Sequence, residues 1–238
     1  MAWHLGRLAG FDLETTGPDP LTARIVTACI VQVGGGMSVS PANWLADPGV
    51  EIPAGAAAVH GITTEHAQAK GSPAAEVVAQ LIESLETTIT GTGTPIVAMN
   101  ARYDLTVLDR EAERYDIEPL AARVPDLKVV DPFVIDKQVD RYRPGKRTLT
   151  ALCEHYDVRL DGAHSADADA VAACRVAWRQ ATRYPQLAAM TADELHSAQV
   201  GWAAEQAASL QEHFRMKYPA AVVEGAWPLI PRQREATA

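Results

Sequence analysis

The pattern of apolar positions at the start of the chain predicts three strands. Residues 7–13 (RLAGFDL) and 25–33 (IVTACIVQV) are rich in apolar and β-branched side chains and are bounded by glycine or proline, as strands are. The glycines at 34–36 supply the left-handed backbone that a hairpin requires, and a third strand ends near Trp44. We therefore expect an antiparallel meander at the beginning of the fold.

Helical and strand patterns alternate along the rest of the chain. Apolar residues at helical spacing predict helices, and short continuous apolar runs predict buried strands. The predicted helices are 73–86, 104–115, about 148–156, about 167–182 and about 191–214, and the predicted strands are 95–100 and 127–131. Asp131, before Pro132, is a candidate helix N-cap, whereas the passage 47–61 is too irregular to predict an element. A meander followed by alternating strands and helices is typical of an α/β domain with a mixed sheet.

The charge balance narrows the classes of function. Lysine and arginine together number 21 and aspartate and glutamate 30, which gives a net charge of −9. A protein that binds nucleic acid through a broad basic surface has the opposite balance, so a DNA coat protein or a repressor is disfavoured. Any polyanion must be held locally or through bound cations.

Cysteine usage and hydropathy indicate the compartment. Cys29, Cys153 and Cys174 lack the spacing of a disulfide framework or of a structural zinc site, and buried free thiols are the simplest interpretation. The N-terminus has no apolar stretch typical of a signal segment, and the sequence has no apolar run of about 18 residues or more. We expect a cytoplasmic protein that does not associate with a membrane.

Three short motifs place acidic side chains at the ends of predicted elements. Asp12 and Glu14 share one face of the first strand, where two carboxylates repel each other unless a cation lies between them. Asp104 lies in the first turn of a helix after the NARYD run, where interaction with the helix dipole is the simpler interpretation of it alone. His164 precedes a helix that carries Asp169, and alone it would be an ordinary polar residue.

Together, the DxE, NAxxD and HxAxxDA motifs resemble, in order and local context, those of the DnaQ-like (DEDDh) 3′–5′ exonucleases, which include the epsilon proofreading subunit of bacterial DNA polymerase III. HGIT at 60–63 and RTLTALCEHYDV at 147–158 resemble flanking segments of the same family. The resemblance implies a ribonuclease H-like mixed sheet of about five strands flanked by helices, with residues 1–182 as the DEDDh exonuclease domain. Residues 183–238 then form a helical C-terminal extension that packs on this domain or contacts a partner.

The resemblance also implies catalysis by two Mg²⁺ or Mn²⁺ ions. Carboxylate oxygens favour such hard cations, and two of them can clamp the attacking and leaving oxygens of a phosphodiester. By the family pattern, Asp12 bridges the ions, and Glu14 and Asp169 complete the site of the ion that activates water. Asp104 acts on the second ion, and His164 is the candidate general base. The product would be a nucleoside 5′-monophosphate released from a 3′ end.

Further residues are candidates for binding the substrate. By resemblance, Thr15 and Thr16 lie near the 3′-OH of the terminal nucleotide, and Tyr103 either stacks near the substrate or fills the core. The basic run RYRPGKR at 141–147 is either a solvated loop or a contact for backbone phosphates. The candidate substrate-binding residues are Thr15, Thr16, Asn100, Tyr103, Arg143, Lys146 and Arg147.

The favoured function is a metal-dependent 3′–5′ exodeoxyribonuclease for single-stranded or frayed DNA ends, of the proofreading or repair type, with a polymerase as a candidate partner. The site residues do not separate DNA from RNA, because the 2′-OH is recognised by the shape of the pocket. An exoribonuclease of the oligoribonuclease or ribonuclease T kind therefore stays open. A non-catalytic interaction module on the same fold is the third interpretation, and the intact set of acids and histidine argues against it. The oligomeric state is not predicted.

Overall fold

The three strands predicted at the start of the chain form an antiparallel meander in the computed structural model, which describes residues 2–160 and 165–232. Strand β1 (Arg7–Thr15) pairs with β2 (Ile25–Gly34), and β2 pairs with β3 (Ser40–Asp47). The glycines at 34–36 all have positive φ, which lets the chain turn tightly between β2 and β3.

Three shorter strands complete the sheet in parallel orientation. They are β4 (Ser72–Pro73), β5 (Ile96–Val97) and β6 (Val129–Val130). The strand order is β4-β3-β2-β1-β5-β6, with β5 parallel to β1 and β6 parallel to β5. The predicted mixed α/β sheet is confirmed. Its sixth strand, the two-residue β4 at the edge, was not predicted because the sequence pattern assigns Pro73 to the start of a helix.

Helices fill most of the remaining chain. They are α1 (Ala54–His60), α2 (Thr64–Lys70), α3 (Ala74–Thr92), α4 (Ala101–Arg114), α5 (Leu120–Arg123), α6 (Pro132–Val139), α7 (Leu149–His155), α8 (Ala166–Arg183), α9 (Pro185–Ala188) and α10 (Ala192–Arg215). The prediction that 47–61 lacks an element is wrong for its second half, where α1 forms. Its alanine-rich sequence favours a helix, which ends at Gly61 with a φ of 78°.

The sheet separates two apolar layers. Helices α3 and α4 pack on the face that carries Phe11 and Leu13, and α8 packs on the face that carries Leu8 and Val97. Because side chains alternate along a strand, Asp12 and Glu14 lie on the same face as Leu8. The two acids of β1 therefore point towards α8.

The C-terminal residues lie against the sheet edge and α4. Helix α10 packs on β6 and α6, and the Gln199 side chain donates to the Val129 carbonyl over 2.9 Å. Residues 217–232, here named the C-terminal strap, cross α4. The Ile230 N–H donates to Thr106 Oγ1 over 2.9 Å, and the Trp227 ring is buried in the main core.

The structure bears on the expected state of the cysteines and on the hydrophobicity of the helices. Cys29, Cys153 and Cys174 are buried with free thiols, as the sequence predicts. Among residues 2–160 and 165–232, none of the helices combines the length and the hydrophobicity needed to cross a bilayer.

Candidate active site

A close approach between β1 and α8 creates a cluster of carboxylates. A Cβ atom at Gly10 would lie 2.6 Å from the Ala170 carbonyl oxygen and 2.9 Å from Cys174 Sγ, so only glycine permits this packing. Asp169 precedes Ala170 on α8 and is carried to the β1 surface. Ligand oxygens of Asp12, Glu14 and Asp169 all lie within 4.8 Å of one another.

Asp104 joins this cluster from the first turn of α4. Its Oδ1 accepts a hydrogen bond from the Leu13 N–H over 3.1 Å, between the two acids of β1. The helix begins at residue 101 rather than at the predicted 104, and Asn100 precedes it in the left-handed conformation with a φ of 60°, which asparagine tolerates better than most residues.

Asp131 holds the start of α4 in place. Its carboxylate accepts the Asn100 N–H over 2.9 Å and the Ala101 N–H over 3.0 Å. It also accepts from Phe133 N–H over 2.9 Å, which confirms the predicted N-cap of α6, and from Trp227 Nε1 over 3.2 Å. Sequence reasoning identified the cap but missed this second role, because the Asn100 backbone is distant in sequence.

Burial and mutual repulsion make this cluster unfavourable for negative charge. Burial, and then the charges of Asp104, Asp169 and Glu14, raise the pKa of Asp12 well above its ordinary range. Burial, and then Asp169, raise the pKa of Glu14 to about 7. Burial also raises the pKa of Asp104, although hydrogen bonds from the backbone N–H groups of Leu13 and of Asp104 itself act to lower it. Such a cluster is a candidate functional site on physical grounds.

The predicted general base, His164, lies outside the described residues, and its role stays a prediction. The described chain resumes at Ser165, and α8 begins at the next residue.

A cleft of about 490 Å³ opens beside the cluster, and three predicted substrate-binding residues line it. Thr15, Thr16 and Tyr103 lie on one side with Glu14, and His60 lies on the α1 side. The Tyr103 hydroxyl hydrogen-bonds Thr15 Oγ1 and the Gly17 carbonyl, while its ring also packs against the core. Both interpretations of Tyr103 therefore fit the structure.

The turn after β1 is anchored by a buried ion pair that sequence reasoning missed. Thr16 Oγ1 accepts the Arg24 N–H over 2.9 Å, and Arg24 Nε lies 2.6 Å from Glu111 Oε1, whose side chain is fully buried. Arg114 contacts the same oxygen. A glutamate inside an amphipathic helix gives no sequence signal of this kind, because its partner lies 87 residues away.

The other predicted substrate-binding residues do not line this cleft. Asn100 lines a different cavity, which includes Asp131 and Phe133. Arg143 and Arg147 bind Asp136, a fully buried acid, over 2.6 and 2.8 Å. Lys146 is exposed. The structure thus gives the two arginines a structural contact, and their binding of phosphate stays a prediction.

His60 is a cleft residue to which sequence reasoning assigned no role. It lines the cleft and also a second cavity that includes Glu14 and Asp167. Its Nδ1 accepts the Ile62 N–H over 3.2 Å, and burial lowers its pKa. The HGIT segment was the available signal, since it marks this loop without indicating what the histidine contacts.

Known proteins resemble this chain in sequence. The sequence profile of the exonuclease family matches residues 9–177. The DNA polymerase III PolC-type of Oceanobacillus iheyensis is 28% identical over 174 residues, which are 73% of this chain and 11% of the polymerase.

Two solved structures of Escherichia coli exonuclease I superpose on the fold. The zinc-bound complex with single-stranded DNA has a TM-score of 0.65 at 25% identity, over 76% of this chain and 42% of that chain. The complex with a dA16 oligonucleotide has a TM-score of 0.65 at 25% identity, over 77% and 42%. The chain therefore spans less than half the length of these structures. The family match covers all four acidic positions, and this chain belongs to the exonuclease family.

Proposed function

We propose that this chain is a metal-dependent 3′–5′ exonuclease that releases nucleoside 5′-monophosphates from single-stranded or frayed DNA ends. The observation that carries the proposal is the cluster of Asp12, Glu14 and Asp169, with ligand oxygens within 4.8 Å, beside a cleft of about 490 Å³. That volume lies within the range of small-ligand sites and suits one terminal nucleotide.

The donor set fits hard divalent cations. Asp12, Glu14, Asp104 and Asp169 offer only oxygen ligands, which suits Mg²⁺ or Mn²⁺. Burial, and then the charges of neighbouring carboxylates, raise the pKa values of Asp12, Glu14 and Asp104, and bound cations would neutralise that charge. When bound, such ions supply Lewis-acid stabilisation of the charge that develops on the phosphoryl oxygens.

The chain's own residues orient the substrate. Thr15 and Tyr103 form a hydrogen-bonded wall next to Glu14, so a 3′-terminal nucleotide in the cleft would place its phosphodiester at the carboxylates. His164, which precedes α8 by two residues, is the proposed acceptor of the proton from the attacking water.

DNA is the proposed substrate, and a polymerase is a proposed partner. Support comes from relatives: the two exonuclease I structures contain single-stranded DNA or a deoxyadenosine oligonucleotide, and the PolC-type relative is a DNA polymerase. We also propose that residues 1–182 carry the catalytic machinery and that residues 183–238 are a helical extension that packs on it or contacts a partner.

The test uses 5′-labelled DNA and RNA oligonucleotides of one sequence, incubated with Mg²⁺, Mn²⁺ or EDTA. We expect a ladder that shortens from the 3′ end of DNA only when metal is present, and no ladder from a 3′-blocked strand. Equal shortening by the Asp12→Asn variant would sink the assignment, and faster shortening of RNA would transfer it to exoribonucleases.

Replacement of His164 by alanine tests the general base separately. We expect hydrolysis to slow about a hundredfold or more, because proton transfer by a positioned side chain contributes that much. Metal affinity, measured by Mn²⁺ titration, should change little. A rate close to that of the unmodified chain would exclude His164 as the base.

A further inference from the structure

Positive side chains line a groove between α6 and α10. The groove has a volume of about 350 Å³, and Arg141 Nη2 reaches across it to within 3.5 Å of Ser209 Oγ. Its lining includes Lys137, Arg141, Arg147, Ser209 and His213, together with the acid Glu205.

Two of these cations lack acidic partners. Arg147 is committed to buried Asp136, whereas Lys137 and Arg141 make no ion pair with any residue in the part of the chain that the structure describes. Burial, and then the positive charges of Arg147 and Arg102, lower the pKa of Lys137. Buried Asp131 opposes this effect but does not remove it. The groove therefore has surplus positive charge in a chain whose net charge is −9.

The groove continues towards the helix that carries Asp104. An adjoining cavity of about 180 Å³ shares Lys137 in its lining and extends to Asn100, which precedes α4, and to Arg102 in its first turn. Glu224 lies at its rim. A linear ligand in the groove would thus approach the first turn of α4, which carries Asp104.

Aromatic rings accompany these cations. Phe133 lines the adjoining cavity, with the Lys137 ammonium 4.9 Å from its ring centre. Tyr142 is 89% exposed, and the Arg141 guanidinium lies 5.8 Å from its ring. Cations that follow a backbone and aromatic rings that stack on bases are how proteins bind single strands without sequence preference.

We propose that this groove binds the phosphodiester backbone of a single-stranded nucleic acid, upstream of the terminal nucleotide held in the cleft. The proposal rests on the proposed exonuclease function and extends it to the α6–α10 surface. An acidic peptide has similar charge, but the exposed Tyr142 ring and the continuity with α4 favour a nucleic acid strand.

Binding is tested in the Asp12→Asn background, so that the substrate stays intact. A 5′-fluorescein 12-nucleotide DNA is titrated with the chain in Mg²⁺ at several NaCl concentrations, with and without Lys137→Gln and Arg141→Gln combined. We expect the association constant K to fall about tenfold at low salt. The slope of log K against log[NaCl] should become less negative by about 1.4, since each phosphate contact contributes about −0.7. Lys70→Gln, an exposed lysine on α2, is the matched control and should change neither quantity.

Kinetics in the otherwise unmodified chain separate this proposal from the proposed function. The double substitution should raise KM for the 12-nucleotide DNA about tenfold with kcat within a factor of two, and leave KM for a dinucleotide unchanged, because a dinucleotide does not reach the groove. Thermal melting by circular dichroism checks that the variant is folded.

Different results would contradict the groove proposal and the proposed exonuclease function. A double variant that binds and cleaves the 12-nucleotide DNA as the Lys70→Gln control does would overturn the groove proposal alone. Absence of cleavage by the unmodified chain would overturn the proposed function. If the two substitutions weaken the binding of an acidic peptide but not of DNA, the groove would be reassigned to a protein partner.

Discussion

Asp12 is surrounded by three other carboxyl groups, Glu14, Asp104 and Asp169, at the end of a strand whose other face is core. Burial and their charges raise its pKa, so the metal-free fold is strained electrostatically at the place where the chemistry is proposed. Such a site lowers stability in exchange for function, which is a common arrangement in enzymes. Stability and activity should therefore respond in opposite directions to a change at this residue.

The first prediction concerns Asp12→Asn. In EDTA at pH 8 we expect the variant to melt at a higher temperature than the unmodified chain, because a neutral amide replaces one of four clustered acidic groups. Exonuclease activity should fall at least about a thousandfold, since metal stabilisation of the phosphoryl charge is worth several kcal/mol. Asp126→Asn, at an exposed position, is the control, and a lower melting temperature for Asp12→Asn would contradict the electrostatic account.

The second prediction is a pH dependence of the metal-free chain. The pKa of Glu14 is about 7 in the folded state against an ordinary value of 4.5, so between these values the folded state binds more protons than the unfolded state. The free energy of unfolding in EDTA should therefore fall as pH rises from about 5 to about 8. Urea titrations across this window measure it.

Mg²⁺ should restore the lost stability at pH 8, since the metal competes with protons for the same oxygens. Glu14→Gln should flatten the pH dependence. Stability that rises with pH in EDTA would exclude the raised pKa values.

At the scale of elements, α4 is the best-supported part of the site. Asp131 holds its first turn, and the C-terminal strap holds its outer surface: Arg110 donates to the Ile230 carbonyl over 2.9 Å, and Arg232 pairs with Asp109. Trp227 connects the two, because its ring is in the core and its Nε1 donates to Asp131. A helix fixed at both places keeps Asp104 against the Leu13 backbone.

The third prediction follows from this arrangement. Trp227→Ala should lower the free energy of unfolding by about 3 to 5 kcal/mol, as is usual for loss of a buried tryptophan. Val222→Ala lies in the same strap at a position that is 81% exposed, and it should change stability by less than about 0.5 kcal/mol. Equal effects of the two substitutions, measured by urea unfolding, would mean that the strap does not pack as described.

At the scale of the whole molecule, net charge limits how tightly the chain alone holds a long polyanion. A net charge of −9 adds repulsion at distance, while the α6–α10 groove supplies only a few local cations. Attraction that depends on a few phosphate contacts weakens steeply with salt. A short substrate, or a partner that delivers the 3′ end, would compensate for this weakness.

The fourth prediction is therefore distributive hydrolysis. With labelled DNA in roughly twentyfold excess at physiological salt, weak binding should release each strand after one or a few cleavages. Strands shortened by one or a few nucleotides should then accumulate before any limit product is seen on a sequencing gel. Unlabelled competitor DNA added after the start should stop further shortening. A gel that shows full-length and limit products without intermediate lengths would contradict the prediction.

The sequence alone determined the mixed α/β sheet and the spacing of the four acids, because strand and helix periodicity and short motifs are local properties. It also indicated that a polyanion must be held through cations. The start of α4 next to Asn100 was missed because it depends on the carboxylate of Asp131, which is distant in sequence. Helix α1 was missed because its composition also suits a loop.

Only the tertiary structure decided which side chains meet. The approach of α8 to Gly10, which brings Asp169 to Asp12, depends on contacts more than 150 residues apart along the chain. The basic run at 141–147 shows the same limit: Arg143 and Arg147 turn onto buried Asp136, while Arg141 faces the groove. A sequence records which charges are present, and packing determines which of them are neutralised inside the fold and which are left to bind a ligand.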